Sequence, residues 1–213
     1  ACLFTMSRGA WVGMAIAVVL FILLVDRRLF GLLLTACALL MFVPFVRTRI
    51  SFLFTDEFVA ASNNGGRSER WATGLALLNS ADPWLGYGLG MFGGAIAMQT
   101  QIMDWIEYFY MDNYYLKILV EMGYVGLASF AVMMLTLVWT GNRTLFRLRG
   151  QRRHMEGTLY PLCAGMFAGL CGVLAHCFFE NIFEQPYMMV YFWTIAAMLV
   201  WAGFLQNPRK EVV

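Results

Sequence analysis

The side chains with the greatest chemical reach in this chain are three arginines, a run of polar residues around position 112, and one histidine. Arg8 follows Ser7 at the start of an apolar run, and Arg67 and Arg70 follow the Gly65-Gly66 turn. Guanidinium forks bind phosphate oxygens in pairs, so a lipid phosphate or pyrophosphate is their natural ligand. The plainer role of an arginine at a lipid boundary is to extend to the headgroups. Asp112, Asn113, Tyr114, Tyr115, Lys117 and Glu121 form the densest polar constellation. Lys117 and Glu121 stand one helical turn apart and can pair on one face, for structure or for function. Asp112 sits where a helix N-cap belongs, and equally where a catalytic carboxylate would face out of the membrane. His176 lies four residues before Glu180 and close to Asn181, as a proton-handling pair or as a satisfied helix-end histidine. No third ligand accompanies them for zinc, and the five cysteines show no metal spacing, so neither metal nor cofactor is expected.

One motif points elsewhere. Gly88-Leu89-Gly90-Met91-Phe92-Gly93 matches the dinucleotide fingerprint, with Asp112 downstream. That fingerprint works only between a strand and a helix, and Pro83 to Leu85 reads as a turn. Gly86, Gly88 and Gly90 are expected instead to let the backbone bend and pass close to the helices.

The elements that carry these residues follow from composition. Of 213 residues, 61% are hydrophobic and 13% charged, against roughly 45–50% and about 25% in soluble chains. Water is not this chain's main solvent. A net charge of only +2 excludes nucleic acid held by a bulk basic field. Five stretches are apolar enough to be read as spans, at about 9–25, 29–46, 114–139, 159–178 and 187–205. Backbone groups in lipid need internal partners, so an all-α polytopic membrane protein is expected. Arg27, Arg28, Arg143, Arg147, Arg149, Arg152, Arg153, Arg209 and Lys210 fall on one side of that layout, which the positive-inside rule makes cytoplasmic. The basic loop is expected at 140–158. The opposite, extracytoplasmic side receives residues 47–112, too long for a simple connection and too aromatic for disorder, hence a folded cap. Within it Trp71 to Leu78 reads as a short helix and Ile102 to Met111 as an interfacial segment. The chain opens on Ala1 with no cleavable signal sequence and is expected to be the C-terminal half of a longer protein.

The order of these features resembles the polysaccharide polymerase and O-antigen ligase superfamily of bacterial membranes. Thr5-Met6-Ser7-Arg8-Gly9-Ala10 resembles the family's S-R-G-A stretch before a span, and Gly66-Arg67-Ser68-Glu69-Arg70-Trp71 its loop R-x-x-x-W. Pro83-Trp84-Leu85-Gly86-Tyr87-Gly88-Leu89-Gly90 resembles P-x-x-G-x-G-x-G. Asp112-Asn113-Tyr114-Tyr115-Leu116 through Leu119-Val120-Glu121-Met122-Gly123 resembles H-N-x-x-L-x-x-L-x-E-x-G. Together they cover most of residues 5–126. The resemblance implies a metal-independent glycosyltransferase, without cofactor, acting on undecaprenyl-pyrophosphate-linked oligosaccharide at the outer face of the cytoplasmic membrane. It implies pyrophosphate contacts from Arg8 and Arg67, with Arg70 and His176 as further substrate contacts and Asn113, Lys117 and Glu121 in support. A flippase and a chain-length regulator are the partners it implies. Ligases carry a histidine where this chain has Asp112, which points toward a polymerase, with Asp112 as the expected base and ligase as the alternative. Trp71, Tyr87, Trp105 and Tyr108 could stack on sugar, hold the polyprenyl chain, or anchor the interface. A small-solute transporter is the competing class, with Lys117, Glu121 and His176 as its intramembrane charges.

Overall fold

The computed structural model describes residues 7–52, 54–63, 66–80, 82–101, 109–151 and 159–205. Every regular element among them is helical: α1 (Arg8–Val25), α2 (Leu29–Met41), α3 (Pro44–Phe52), α4 (Asp56–Asn63), α5 (Arg67–Ser80), α6 (Ala95–Thr100), α7 (Tyr114–Gln151), α8 (Leu159–His176), a short 3-10 turn (Ile182–Glu184) and α9 (Pro186–Leu205). Trp105, Tyr108, most of the expected interfacial segment, the side chain of Arg8, and Arg152, Arg153, Arg209 and Lys210 lie outside the described residues.

Among the described residues, three helices are long and apolar enough to cross a membrane: Tyr114–Arg149, Leu159–His176 and Pro186–Leu205. The count becomes four if the bent pair α2 and α3 is taken as one span, and Gly9–Val25 is a shorter apolar helix. Five full spans are therefore not reached among the described residues. The expected second span, 29–46, stops at Met41, and the chain turns by 90° into α3. Thirteen residues rise about 20 Å, short of the roughly 30 Å hydrocarbon core. Pro44 has no amide hydrogen to continue a helix, which fits its place as the first residue of α3. Trp11 of α1 meets Phe45 edge-on, and Arg49 lies over the same ring, so α3 packs beside the start of α1.

A second difference lies beyond the third span. The loop expected at 140–158 is helical through Gln151, because α7 continues in one piece from the apolar run into Arg143, Arg147 and Arg149. The core gathers where α7, α8 and α9 meet, around Phe167, Leu170, Phe183, Phe192 and Leu199. Helices α1 and α8 cross at two glycines. A Cβ on Gly13 would meet the Gly172 carbonyl at 2.8 Å, and one on Gly172 the Gly13 carbonyl at 2.7 Å. Small residues at such a crossing let two backbones approach, a common packing device in lipid. A smaller cluster of Leu78, Phe92, Met111, Leu116 and Val120 seats α5 and the segments around Phe92 and Met111 on α7.

Candidate active site

Helix α5 starts four residues earlier than the Trp71–Leu78 segment read from sequence. That extension decides the site. Arg67, Arg70 and Trp71 now fall at i, i+3 and i+4, one face of one helix. All three reach Asp112. Its Oδ2 accepts from Arg67 Nε at 2.6 Å and Arg70 Nη2 at 3.0 Å, and its Oδ1 accepts from Trp71 Nε1 at 3.0 Å. Asp112 is 6% exposed, whereas the two guanidinium side chains keep 40% and 34% of their surface.

Asp112 is free for these contacts because it does not cap α7. The cap is Asn113, whose Oδ1 accepts from the Leu116 amide at 3.1 Å. The N-cap reading of position 112 is thus corrected by one residue. The other wall comes from the end of α8. Arg67 Nη2 donates to the Phe179 carbonyl at 3.2 Å, and its guanidinium lies 5.7 Å from that residue's ring centroid. Carbonyls just past a helix C-terminus carry partial negative charge and suit a cation. The start of α1 is packed on the same spot. A Cβ on Gly9 would stand 2.5 Å from Phe179 Cβ and 3.2 Å from His176 Cδ2. The backbone at Arg8 therefore begins beside Phe179, at the same end of the bundle as the start of α7, whose Tyr114 amide donates to the Cys177 carbonyl.

His176 and Glu180 do not form the side-chain pair that their spacing allowed. The contact between them is Glu180 N–H donating to the His176 carbonyl, while His176 Nε2 is buried with no hydrogen-bond partner. Arg70 Nε and Asn181 Oδ1 are buried without partners as well. Burial raises the Glu180 carboxyl above the usual carboxylate range. Asp112 adds to that shift and Arg67 and Arg70 oppose it. Burial, with Glu184 and Glu180 nearby, pushes the Tyr110 phenol up to about 12.

Lys117 and Glu121 do pair, at 2.7 Å, but their setting is a joint between loop and helix. Glu121 is 3% exposed, and its other oxygen accepts from the Phe92 amide at 3.2 Å. Two residues on, α7 is interrupted at Gly123, with φ 64° and ψ −167°. The backbone groups freed there are taken by the Pro83–Gly88 strip. Tyr87 and Gly88 donate to the Val120 and Glu121 carbonyls at 3.1 and 2.8 Å, while Tyr124 and Val125 donate to the Pro83 and Trp84 carbonyls at 2.9 and 3.2 Å. Gly86 has φ +70°, and a Cβ there would lie 2.5 Å from the Val120 carbonyl oxygen. The Gly88 amide is thus engaged by the protein itself, and among the described residues no strand precedes it, so the dinucleotide pattern has no phosphate to cradle.

The family model for O-antigen ligase matches residues 1–131. This chain belongs to the O-antigen ligase family. No curated protein and no solved structure matches it. Membership makes it a glycosyltransferase-like membrane protein of polysaccharide biosynthesis. The O-antigen ligase match contains Arg67, Arg70, Trp71, Asp112 and the whole loop–helix joint. It ends inside α7, so the wall formed by His176, Phe179, Glu180 and Asn181 lies beyond it. The sequence reading missed the Phe179 carbonyl and the Trp71–Asp112 contact. For Trp71 the signal was available, because its spacing from Arg67 places both on one helical face. Among the described residues, no three His, Cys, Asp or Glu side chains gather as metal ligands would.

Proposed function

We propose that the chain transfers glycan from an undecaprenyl-pyrophosphate carrier to a sugar hydroxyl at the outer face of the bacterial cytoplasmic membrane, as a polysaccharide polymerase. The observation that carries this reading is a pair of arginines aligned by one buried carboxylate. Asp112 engages Nε of Arg67 and Nη2 of Arg70, and leaves Nη1 of each without a protein partner among the described residues. The guanidinium donors that Asp112 leaves open are held in fixed positions, which suits the charge that develops on a departing pyrophosphate. The site lies at one end of the membrane helices, so a polyprenyl tail can remain in lipid while its pyrophosphate reaches Arg67. On this reading Arg8, whose backbone opens α1 at the same end of the bundle, is a further pyrophosphate contact.

On this reading Asp112 is a positioning residue. Both its oxygens are engaged, one by Arg67 and Arg70 and the other by Trp71, so its contacts serve to hold those side chains in place. Arginine supplies the charge stabilisation, so the transfer is metal-independent. A second reading, ligase transfer of a finished glycan to lipid A-core or another acceptor, is favoured by the O-antigen ligase description of the matching family.

The test uses the full-length protein in proteoliposomes with an undecaprenyl-pyrophosphate-linked repeat unit. A glycan ladder that persists in EDTA and disappears in Arg67→Ala is the expected result. Single transfer to a different acceptor would replace polymerase with ligase, and no transfer from any lipid-linked donor would overturn the proposal.

A further inference from the structure

Glycosyl transfer to a hydroxyl needs a proton acceptor within reach of that hydroxyl. Most carboxylates near the site are already engaged. Asp112 holds two arginines and Trp71. Glu121 holds Lys117 and the Phe92 amide. Glu184 accepts from the Ala95 amide at 2.7 Å and from Asn181 Nδ2 at 2.8 Å. His176 is packed under Gly9, with its Nε2 buried.

Glu180 is different. It is half-buried, follows the residue whose carbonyl receives Arg67, and its carboxylate makes no hydrogen bond or ion pair among the described residues. We infer that Glu180 is the group that takes the proton from the acceptor hydroxyl. The inference rests on the glycosyl-transfer reading above.

The step balances as follows. The acceptor O–H bond breaks and its proton passes to a Glu180 oxygen. The oxygen lone pair so released forms the bond to the anomeric carbon. The bond from that carbon to the carrier's pyrophosphate breaks, and its electron pair leaves on the pyrophosphate against Arg67 and Arg70. Glu180 afterwards returns the proton to water.

The placement also couples two events. While Glu180 is ionised, two carboxylates oppose the two guanidinium charges. Once it is protonated, only Asp112 does, so the site grows more positive as the pyrophosphate gains charge. The charged and titratable groups that face Glu180 are Asp112, Arg67 and Arg70 across the site, His176 one turn back on its own segment, and Tyr110 with Glu184 beyond. Burial raises its carboxyl pKa, which brings a general base closer to working pH.

The experiment compares wild type, Glu180→Gln and Glu180→Asp in the full-length protein in proteoliposomes, at saturating lipid-linked donor across a pH series. Donor affinity is read separately by displacement of a labelled polyprenyl pyrophosphate. In the wild type the rate should climb with pH through a carboxyl pKa above the usual range. Glu180→Gln should lower the rate by about 10²–10⁴-fold and remove that limb, with donor affinity undiminished or raised, and Glu180→Asp should recover part of the rate. A Glu180→Gln enzyme with nearly full rate and an intact limb would overturn the inference and leave the transferase reading standing. Loss of donor affinity together with rate would also overturn it, by making Glu180 a binding or structural residue. If wild type transfers nothing, both readings fall together.

Discussion

The joint between the Pro83–Gly88 strip and α7 allows a calculation that can fail. Substituting Gly86 with Ala places a Cβ 2.5 Å from the Val120 carbonyl oxygen, a rigid backbone atom, at a residue whose φ is +70°. The left-handed conformation costs an L residue about 1–2 kcal/mol. The strip must also withdraw, which weakens the Tyr87 and Gly88 amide bonds to α7, at about 0.5–1.5 kcal/mol each. The expected loss is about 2–5 kcal/mol. Gly123→Ala should match it from the other side, since its Cβ would run into the Trp84 carbonyl at φ +64°. Gly88→Ala isolates backbone strain, because its nearest foreign atom is Met91 Cγ at 3.7 Å, and should cost only about 1–2 kcal/mol. Gly169 lies in α8 with nothing within 4 Å of an added Cβ. Its Ala variant should gain up to about 1 kcal/mol from helix propensity. Reversible unfolding in mixed micelles measures all four. The double variant Gly86→Ala/Gly123→Ala should lose less than the two singles combined, since both break one joint. Gly86→Ala no more costly than Gly88→Ala would refute the reasoning.

Four further outcomes are expected. Asp112→Asn leaves two guanidinium groups facing one neutral amide. Their exposure screens the repulsion, so cap stability should fall by only about 1–2 kcal/mol, while transfer in the proteoliposome assay drops at least tenfold. Arg67→Lys keeps charge but cannot serve Asp112, Phe179 and a pyrophosphate at once, and should raise the donor KM with little change in the unfolding midpoint. Asn113→Ala removes the α7 cap and should cost about 1 kcal/mol in the same unfolding measurement. Gly172→Ala would push α1 from α8 at the 2.7 Å crossing, and should lower transfer while a cysteine cross-link between α5 and α7 still forms.

The helical character of the chain was legible because lipid leaves the backbone few alternatives. The ends of individual helices were less so. Hydropathy averaged over a window reads residues 29–46 as one span, although Pro44, Arg47 and Arg49 already mark its far end as a different object. The break at Gly123 is invisible to such an average. It exists because a segment some 35 positions upstream supplies hydrogen-bond partners for the interrupted turn, a tertiary fact with no local signature beyond the glycine itself. At the site, residue types were readable and their partners were not. Arg67 and Asp112 were singled out separately as phosphate ligand and base, whereas the structure joins them to each other. Asn113, ranked as support, turned out to hold the cap and so to release Asp112. The Phe179 carbonyl could not have been found by side-chain reasoning, because its contribution comes from the backbone.

The site's two walls are made at different moments in the chain's life. Arg67, Arg70 and Asp112 emerge before α8, but the carbonyl that receives Arg67 and the segment bearing Glu180 emerge only after it. Segments fold in the order they emerge. A nascent chain that has inserted only as far as α7 can hold its arginines against Asp112, yet it lacks the surface that closes around them. On the glycosyl-transfer reading, the protein stays silent toward its lipid-linked donor until α8 and the segment after it are in place, and a ribosome stalled before that point leaves an inert product.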